Sequence, residues 1–202
     1  MTIDVLLAFS LFALVASITP GPNNIMLLAS GVNFGFRPTL PHMLGICGGF
    51  FIMVVAVGLG IGELFQIVPW SYTALKWLGA AYMMYLAWCI ATSGPISEGS
   101  TEGRPSKPMS FIGAAAFQWV NPKAWVMSIG AFSTYVPSSG GINLVIQAAS
   151  IFALINLPCL GVWTLFGFWL RNFLQARGNV VAFNLTMALL LVASLYPLLD
   201  AI

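Results

Sequence analysis

Six mostly apolar stretches of helical length follow one another along this chain, and almost no charge interrupts them. They lie at about 3–29, 39–63, 70–92, 109–135, 142–170 and 179–200. Each reaches the ~20 residues that an α-helix needs to cross ~30 Å of hydrocarbon. Hydrophobic residues make up 59% of the chain and charged ones only 6%. A water-facing surface needs roughly a quarter to a third charged residues, so lipid must serve as the solvent. In lipid each span satisfies its own backbone hydrogen bonds. Long runs without strict alternation favour helices over barrel strands. The expected fold is an all-α, polytopic membrane protein of six transmembrane helices.

The first apolar run ends in small residues at Ser17, as a signal peptide would. It lacks a basic n-region, since its only early charge is Asp4, and it reads as the first span. The longest polar stretch, 94–108, is rich in Ser, Gly and Pro and reads as a flexible linker. It divides the chain into a first three-helix repeat, 1–93, and a second, 109–202. Arg37, Arg104, Lys107, Arg171 and Arg177 all fall in loops on one side, and the opposite loops and termini carry no Lys or Arg. The positive-inside rule puts the basic loops in the cytoplasm and both termini outside. Lys76, some residues inside the third span, weakens that bias slightly. Trp70, Tyr72, Tyr135 and Tyr196 would form an aromatic belt at the outer interface.

With three spans per half, span 1 and span 4 run in opposite directions, so related halves would be inverted repeats with a site between them. Matching irregularities occur at matching places. Span 1 holds Thr19, Pro20, Gly21, Pro22 and Asn23, followed by Asn24; span 4 holds Asn121, Pro122 and Lys123. A proline withholds an amide and frees the carbonyl four residues earlier, here Ala16, Ile18 and Gln118. Irregular backbone at membrane depth survives only inside protein or beside a wet cavity, so both breaks should face inward. A third break is expected in span 5 at Asn156–Leu157–Pro158. The alternative is that these prolines only kink their helices.

Lys123 is the one charge near the middle of a span, 14 residues in from Met109. Such a charge costs about 3 kcal/mol on insertion scales. No mid-membrane Asp or Glu answers it. Two readings stand: Lys123 pairs with a substrate carboxylate, helped by amides near Gly21 to Asn24, or it caps the freed carbonyls and holds the break. The candidate substrate-binding set is Thr19, Pro20, Gly21, Pro22, Asn23, Asn24, Gln118, Asn121, Pro122, Lys123 and Asn156. His42, after Pro41, reads as an interfacial structural histidine rather than a proton carrier. Gly45, Gly49, Gly58 and Gly62 form two G-x-x-x-G pairs that allow close helix packing, and a homodimer through a glycine-rich face fits that pattern.

Other classes fit poorly. The net charge of +2 is too small and dispersed for nucleic acid. Cys47, Cys89 and Cys159 lie in apolar runs with no C-x-x-C, against a disulfide framework and against a thiol-redox carrier. The core offers no acid and no His/Cys cluster for a metal or other cation. The single histidine has no partner at catalytic spacing, so no enzyme is expected, nor any cofactor. A non-transporting scaffold would leave polar breaks in both halves unexplained.

TPGPN at Thr19–Asn23, LKWLGAAYMMYLAW at Leu75–Trp88 and NPKAW at Asn121–Trp125 resemble, in order and spacing, the motifs of the LysE/RhtB amino-acid exporters. The stretches Ala91–Ser93 and Lys107–Phe111 resemble the branch that includes cysteine and O-acetylserine exporters. The resemblance implies a bacterial inner-membrane exporter of amino acids driven by the proton gradient. Its motifs carry over to Thr19, Pro20, Gly21, Pro22, Asn23, Asn121, Pro122 and Lys123. Many members have an acidic residue in span 2, where this chain has Gly48–Gly49–Phe50–Phe51, and Trp-Lys where it has Trp88–Cys89. Without that acid nothing in the core would neutralise a cationic side chain, so a small neutral amino acid is expected. A thiol-redox carrier or an exporter of another small solute remains the alternative.

Overall fold

The computed structural model describes residues 1–63, 67–93, 107–137, 141–174 and 177–196. The linker expected at 94–108 falls outside them but for Lys107–Pro108, and so do Arg104 and the side chains of Tyr72 and Arg177. Among the described residues the secondary structure is helical throughout, with no strand. The described residues form eight α-helices in the order α1 (Ile3–Ile18), α2 (Pro22–Phe34), α3 (Phe36–Gly58), α4 (Pro69–Thr92), α5 (Phe111–Phe117), α6 (Pro122–Tyr135), α7 (Gly141–Phe173) and α8 (Arg177–Ala193). Short 3₁₀ turns occur at Ile61–Glu63 and Gln118–Val120.

The expected first span is a bent pair. α1 ends at Ile18, α2 begins at Pro22, and their axes differ by 51°. α2 runs on to Phe34, five residues past the expected end of the span at 29, because Gly35 supplies the turn into α3 with φ 87°, a backbone region open to glycine. The fourth span is broken too: α5 passes through the 3₁₀ turn to Asn121, and α6 starts at Pro122. Proline occupies the first helical position of both α2 and α6, where its missing amide costs nothing. The expected break at Asn156–Pro158 does not occur. α7 is one 33-residue helix with Pro158 inside it, packed along α1, α2 and α3, and such packing lets a membrane helix absorb a proline.

α3, Thr73–Thr92 and α7 are each long and apolar enough to cross a bilayer alone, and α1 with α2 does so as a pair. Phe111–Val120 and Gly178–Ala193 are apolar but shorter. Large apolar side chains face outward all round: Leu7 and Leu11 on α1, Ile52 on α3, Trp88 on α4, Val126 on α6, Leu189 on α8. An exterior this apolar suits lipid, not water. Of the expected aromatic belt, Trp70 and Tyr196 are exposed. Tyr135 instead turns inward, its ring 5.9 Å from Phe9 and 5.5 Å from Phe12.

The largest helix contacts cross between halves: α2 on α7, α5 on α3, α3 on α7, and α4 on α8. Glycines set the closest crossings. A Cβ at Gly45 or Gly49 would strike the α5 backbone at Phe111 or Ala115, and one at Gly31 or Gly167 would strike the facing backbone between α2 and α7. The Gly45/Gly49 face is therefore occupied within the chain. At the centre Phe152 stacks edge-on against Phe9 and Phe50, with centroids 5.8 and 5.0 Å apart, the geometry that aromatic quadrupoles favour.

Candidate functional site

The two breaks meet. Pro20 and Pro22 leave carbonyls at Ala16 and Ile18 without helical donors, and side chains supply them. Thr19 Oγ1 donates to Ala16 O at 3.0 Å. Trp163 Nε1, from α7, donates to Ile18 O at 3.0 Å. Asn24 Nδ2 reaches back to both Ser17 O and Thr19 O at 2.8 Å, clipping the bend from inside. In the second break Asn121 N donates to Gln118 O at 3.2 Å, and Asn121 Oδ1 accepts from Lys123 N at 3.1 Å, capping α6. Buried polar groups demand such partners, because each one left unmet costs about 1–3 kcal/mol.

Two links join the breaks. Asn23 Nδ2 donates to Gln118 Oε1 at 2.8 Å, and Gln118 Nε2 donates back to Asn23 Oδ1 at 3.1 Å and to Ala114 O at 2.9 Å. Lys123 extends its ammonium across to the first break and donates to Thr19 O at 2.7 Å, Thr19 Oγ1 at 3.1 Å and Pro20 O at 3.2 Å. Its stem lies over Gly21: a Cβ there would sit 2.6 Å from Lys123 Cδ and 3.1 Å from Nζ. Glycine at this position makes room for the lysine; its backbone is extended, with φ −179°.

These groups border a cavity of about 20 Å³. Ser17, Gly21, Asn23, Asn24, Asn121 and Lys123 line it from the breaks, Asn156 enters from α7, and Phe50, Met127 and Leu160 supply apolar wall. Room for about one water molecule is left at that volume. The N-termini of α2 and α6 both open beside it. Helix N-termini carry partial positive charge and free amides, Lys123 adds a cation, and no carboxylate is among the lining residues. The arrangement favours an anionic group.

Most of the expected set therefore comes together: Gly21, Asn23, Asn24, Asn121, Lys123 and Asn156 in the wall, Thr19 and Pro20 through their oxygens, and Gln118 through Asn23. Pro22 and Pro122 act only by starting their helices. Ser17 and Trp163 were not foreseen. Ser17 ends an apolar run without marking itself, and Trp163 lies 145 positions from the carbonyl it meets. His42, expected at an interface, is instead buried at 2% exposure. Lys76 is buried as well. The three cysteines are free.

A family model described as LysE type translocator matches residues 14–195. Proteins of Escherichia coli strain K12 and of Shigella sonnei, each called cysteine/O-acetylserine efflux protein, are 36% identical to this chain over 194 residues, covering 95% of it and 96% of their own length. No solved structure matches. The match spans both proline-broken helices and the lysine that ties them, and this chain belongs to the LysE translocator family.

Proposed function

We propose that the chain exports a small neutral amino acid, of the cysteine or O-acetylserine kind, across a bacterial inner membrane by secondary active transport driven by the proton gradient. Six spans in two inverted three-helix repeats, 1–93 and 109–202, would flank the site, with 94–108 between them and both termini periplasmic. The way each half's broken span packs on the other half's second span, α1 and α2 on α7 and α5 and α6 on α3, supports that symmetry. The relatives' names support the substrate class.

The observation that carries the reading is the Lys123 ammonium, held by three oxygens of the opposite break inside a cavity without a carboxylate. Carbonyl oxygens compensate the charge in this closed arrangement. A substrate carboxylate is the stronger acceptor, since its full negative charge adds a Coulomb attraction to the ammonium that a neutral carbonyl oxygen lacks. On binding it takes the ammonium from Thr19 and Pro20, with the amides of Asn23 and Asn24 at hand. The capping and ligand roles of Lys123 then belong to two states of one cycle. Releasing the first break lets the cavity, too small here for an amino acid, open to admit one. The absence of an acid in its wall suits a neutral side chain.

The test is efflux of preloaded labelled cysteine, O-acetylserine, threonine, leucine and lysine from cells expressing the protein or Lys123→Met. Loss of a charge-assisted contact of about 2–3 kcal/mol should slow efflux of the neutral substrate roughly 30-fold or more. Collapse of the proton gradient should abolish it. Wild-type rates from Lys123→Met, present in the membrane at normal level, would sink the reading.

A further inference from the structure

Among the described residues, two side chains have buried polar atoms without a hydrogen-bond partner: Ser17 at Oγ, and His42 at both ring nitrogens. Ser17 lines the Lys123 cavity. His42 lines a different one, of about 310 Å³. The two unpartnered groups thus mark two separate cavities.

The second cavity is walled by α2, α3, α4 and the start of α5. Its polar groups include Ser30, Asn33, His42 and Cys89, with Lys107 at the rim, and Met26, Tyr82 and Leu86 contribute apolar surface. Two of these polar groups are engaged elsewhere. Ser30 Oγ pairs with Thr39 Oγ1 at 2.8 Å. Asn33 exchanges hydrogen bonds with Asn184 at 2.8 and 3.0 Å. His42 alone is deeply buried and uncommitted. An imidazole offers one donor and one acceptor when neutral, and leaving both unmet in a buried site costs several kcal/mol.

The two cavities follow each other along the same helices. On α2 the lining passes from Asn23 and Asn24 to Met26, Ser30 and Asn33. Seven residues, Asn23 to Ser30, advance about 10 Å at 1.5 Å each. On the other side α5 carries Gly113 at the second cavity and leads through the 3₁₀ turn to Asn121 at the first. Along the chain between Gly113 and Asn121 come the buried Phe117, whose ring lies 5.8 Å from that of Tyr82, and Gln118, which pairs with Asn23. The second cavity lies toward the end where Lys107 leads into α5 and where Arg171 approaches Gly35.

We propose that this cavity is a second subsite on the transport path, an inner holding site for a small zwitterionic amino acid. A polar group of the ligand pairs with His42, and its carboxylate faces Lys107. The solute waits there until the Asn23–Gln118 pair parts and Lys123 takes the carboxylate. This inference rests on the exporter reading above.

Cys89 lies in the wall and reports on occupancy. In a Cys47→Ala, Cys159→Ala background it is the one cysteine, and its alkylation by N-ethylmaleimide can be followed in membrane vesicles with O-acetylserine as the thiol-free probe. Saturating O-acetylserine should slow alkylation at least 5-fold. Lys123→Ala should keep that protection while losing export. His42→Phe should require at least 10-fold more O-acetylserine for the same protection and raise the KM of export, and His42→Gln should restore much of both. Unchanged alkylation in vesicles that still export O-acetylserine would overturn the second subsite and leave the exporter reading intact. Protection lost equally in Lys123→Ala would mean a single shared site and would also overturn it. If O-acetylserine is neither exported nor protective, both readings fall together. Should His42→Phe not reach the membrane, protection in the background protein still decides the matter.

Discussion

The Asn23–Gln118 pair offers a quantitative check on how the two halves are tied. Its two hydrogen bonds, 2.8 and 3.1 Å long, run antiparallel between side chains 95 residues apart. A net bond contributes about 1 kcal/mol, and coupling between membrane helices averages about 0.6 with a maximum near 1.7 kcal/mol. Two bonds in one pair should therefore couple by about 1–2 kcal/mol. The single substitutions should not be equal. Asn23→Leu strands Gln118 Oε1 on a residue with 0% exposure, which should cost about 2–3 kcal/mol. Gln118→Leu strands Asn23, which borders a cavity and is only partly buried, so its cost should be nearer 1–2 kcal/mol on the same grounds. The double variant leaves no orphan and should cost less than the sum by the coupling energy. Unfolding of purified protein in detergent, by a double-mutant cycle, measures all three. Additivity within about 0.3 kcal/mol would show that the pair is not a working link, and the picture of two breaks fastened to each other would fail.

Two further outcomes test the packing. Gly21→Ala places a methyl 2.6 Å from Lys123 Cδ, so the lysine must withdraw from Thr19 and Pro20; export should fall about 10-fold or more, a change of about 1.4 kcal/mol or larger, with the protein still in the membrane, and unchanged efflux kinetics would contradict the geometry. Gly49→Ala meets the backbone of Ala115 while Gly161→Ala meets nothing within 4 Å, so thermal melting in detergent should show a loss of about 1–3 kcal/mol for the first and no loss for the second; equal stabilities would refute the α3–α5 contact.

Much of this protein is written locally. Apolar runs nearly free of charge make helices in lipid the one affordable solution, because unpaired backbone groups and solvated charges are both excluded there. Pro20, Pro22 and Pro122 each lack an amide, so the places where α1 and α5 end follow from covalent structure alone. Lys123 was conspicuous for the same kind of reason: a lone charge at depth must be compensated.

What compensates it was not local. Thr19 and Pro20 lie about half the chain away, and only the crossing of the two breaks brings their oxygens within 3.2 Å of Nζ. Trp163 serves Ile18 across a similar gap. Pro158 resembles the breaking prolines in sequence, yet α7 continues unbroken past it because its neighbours hold it on several sides. His42 sits near a predicted span end and reads as interfacial, but α3 turns it into a cavity that four helices build. Missing donors, missing charge and proline stereochemistry act within one turn of helix, so residue order alone is enough to reveal them. Which group meets a freed carbonyl, and which polar side chain is left unmet in a cavity wall, depends on contacts between segments about a hundred residues apart, and these exist only once the helices have packed.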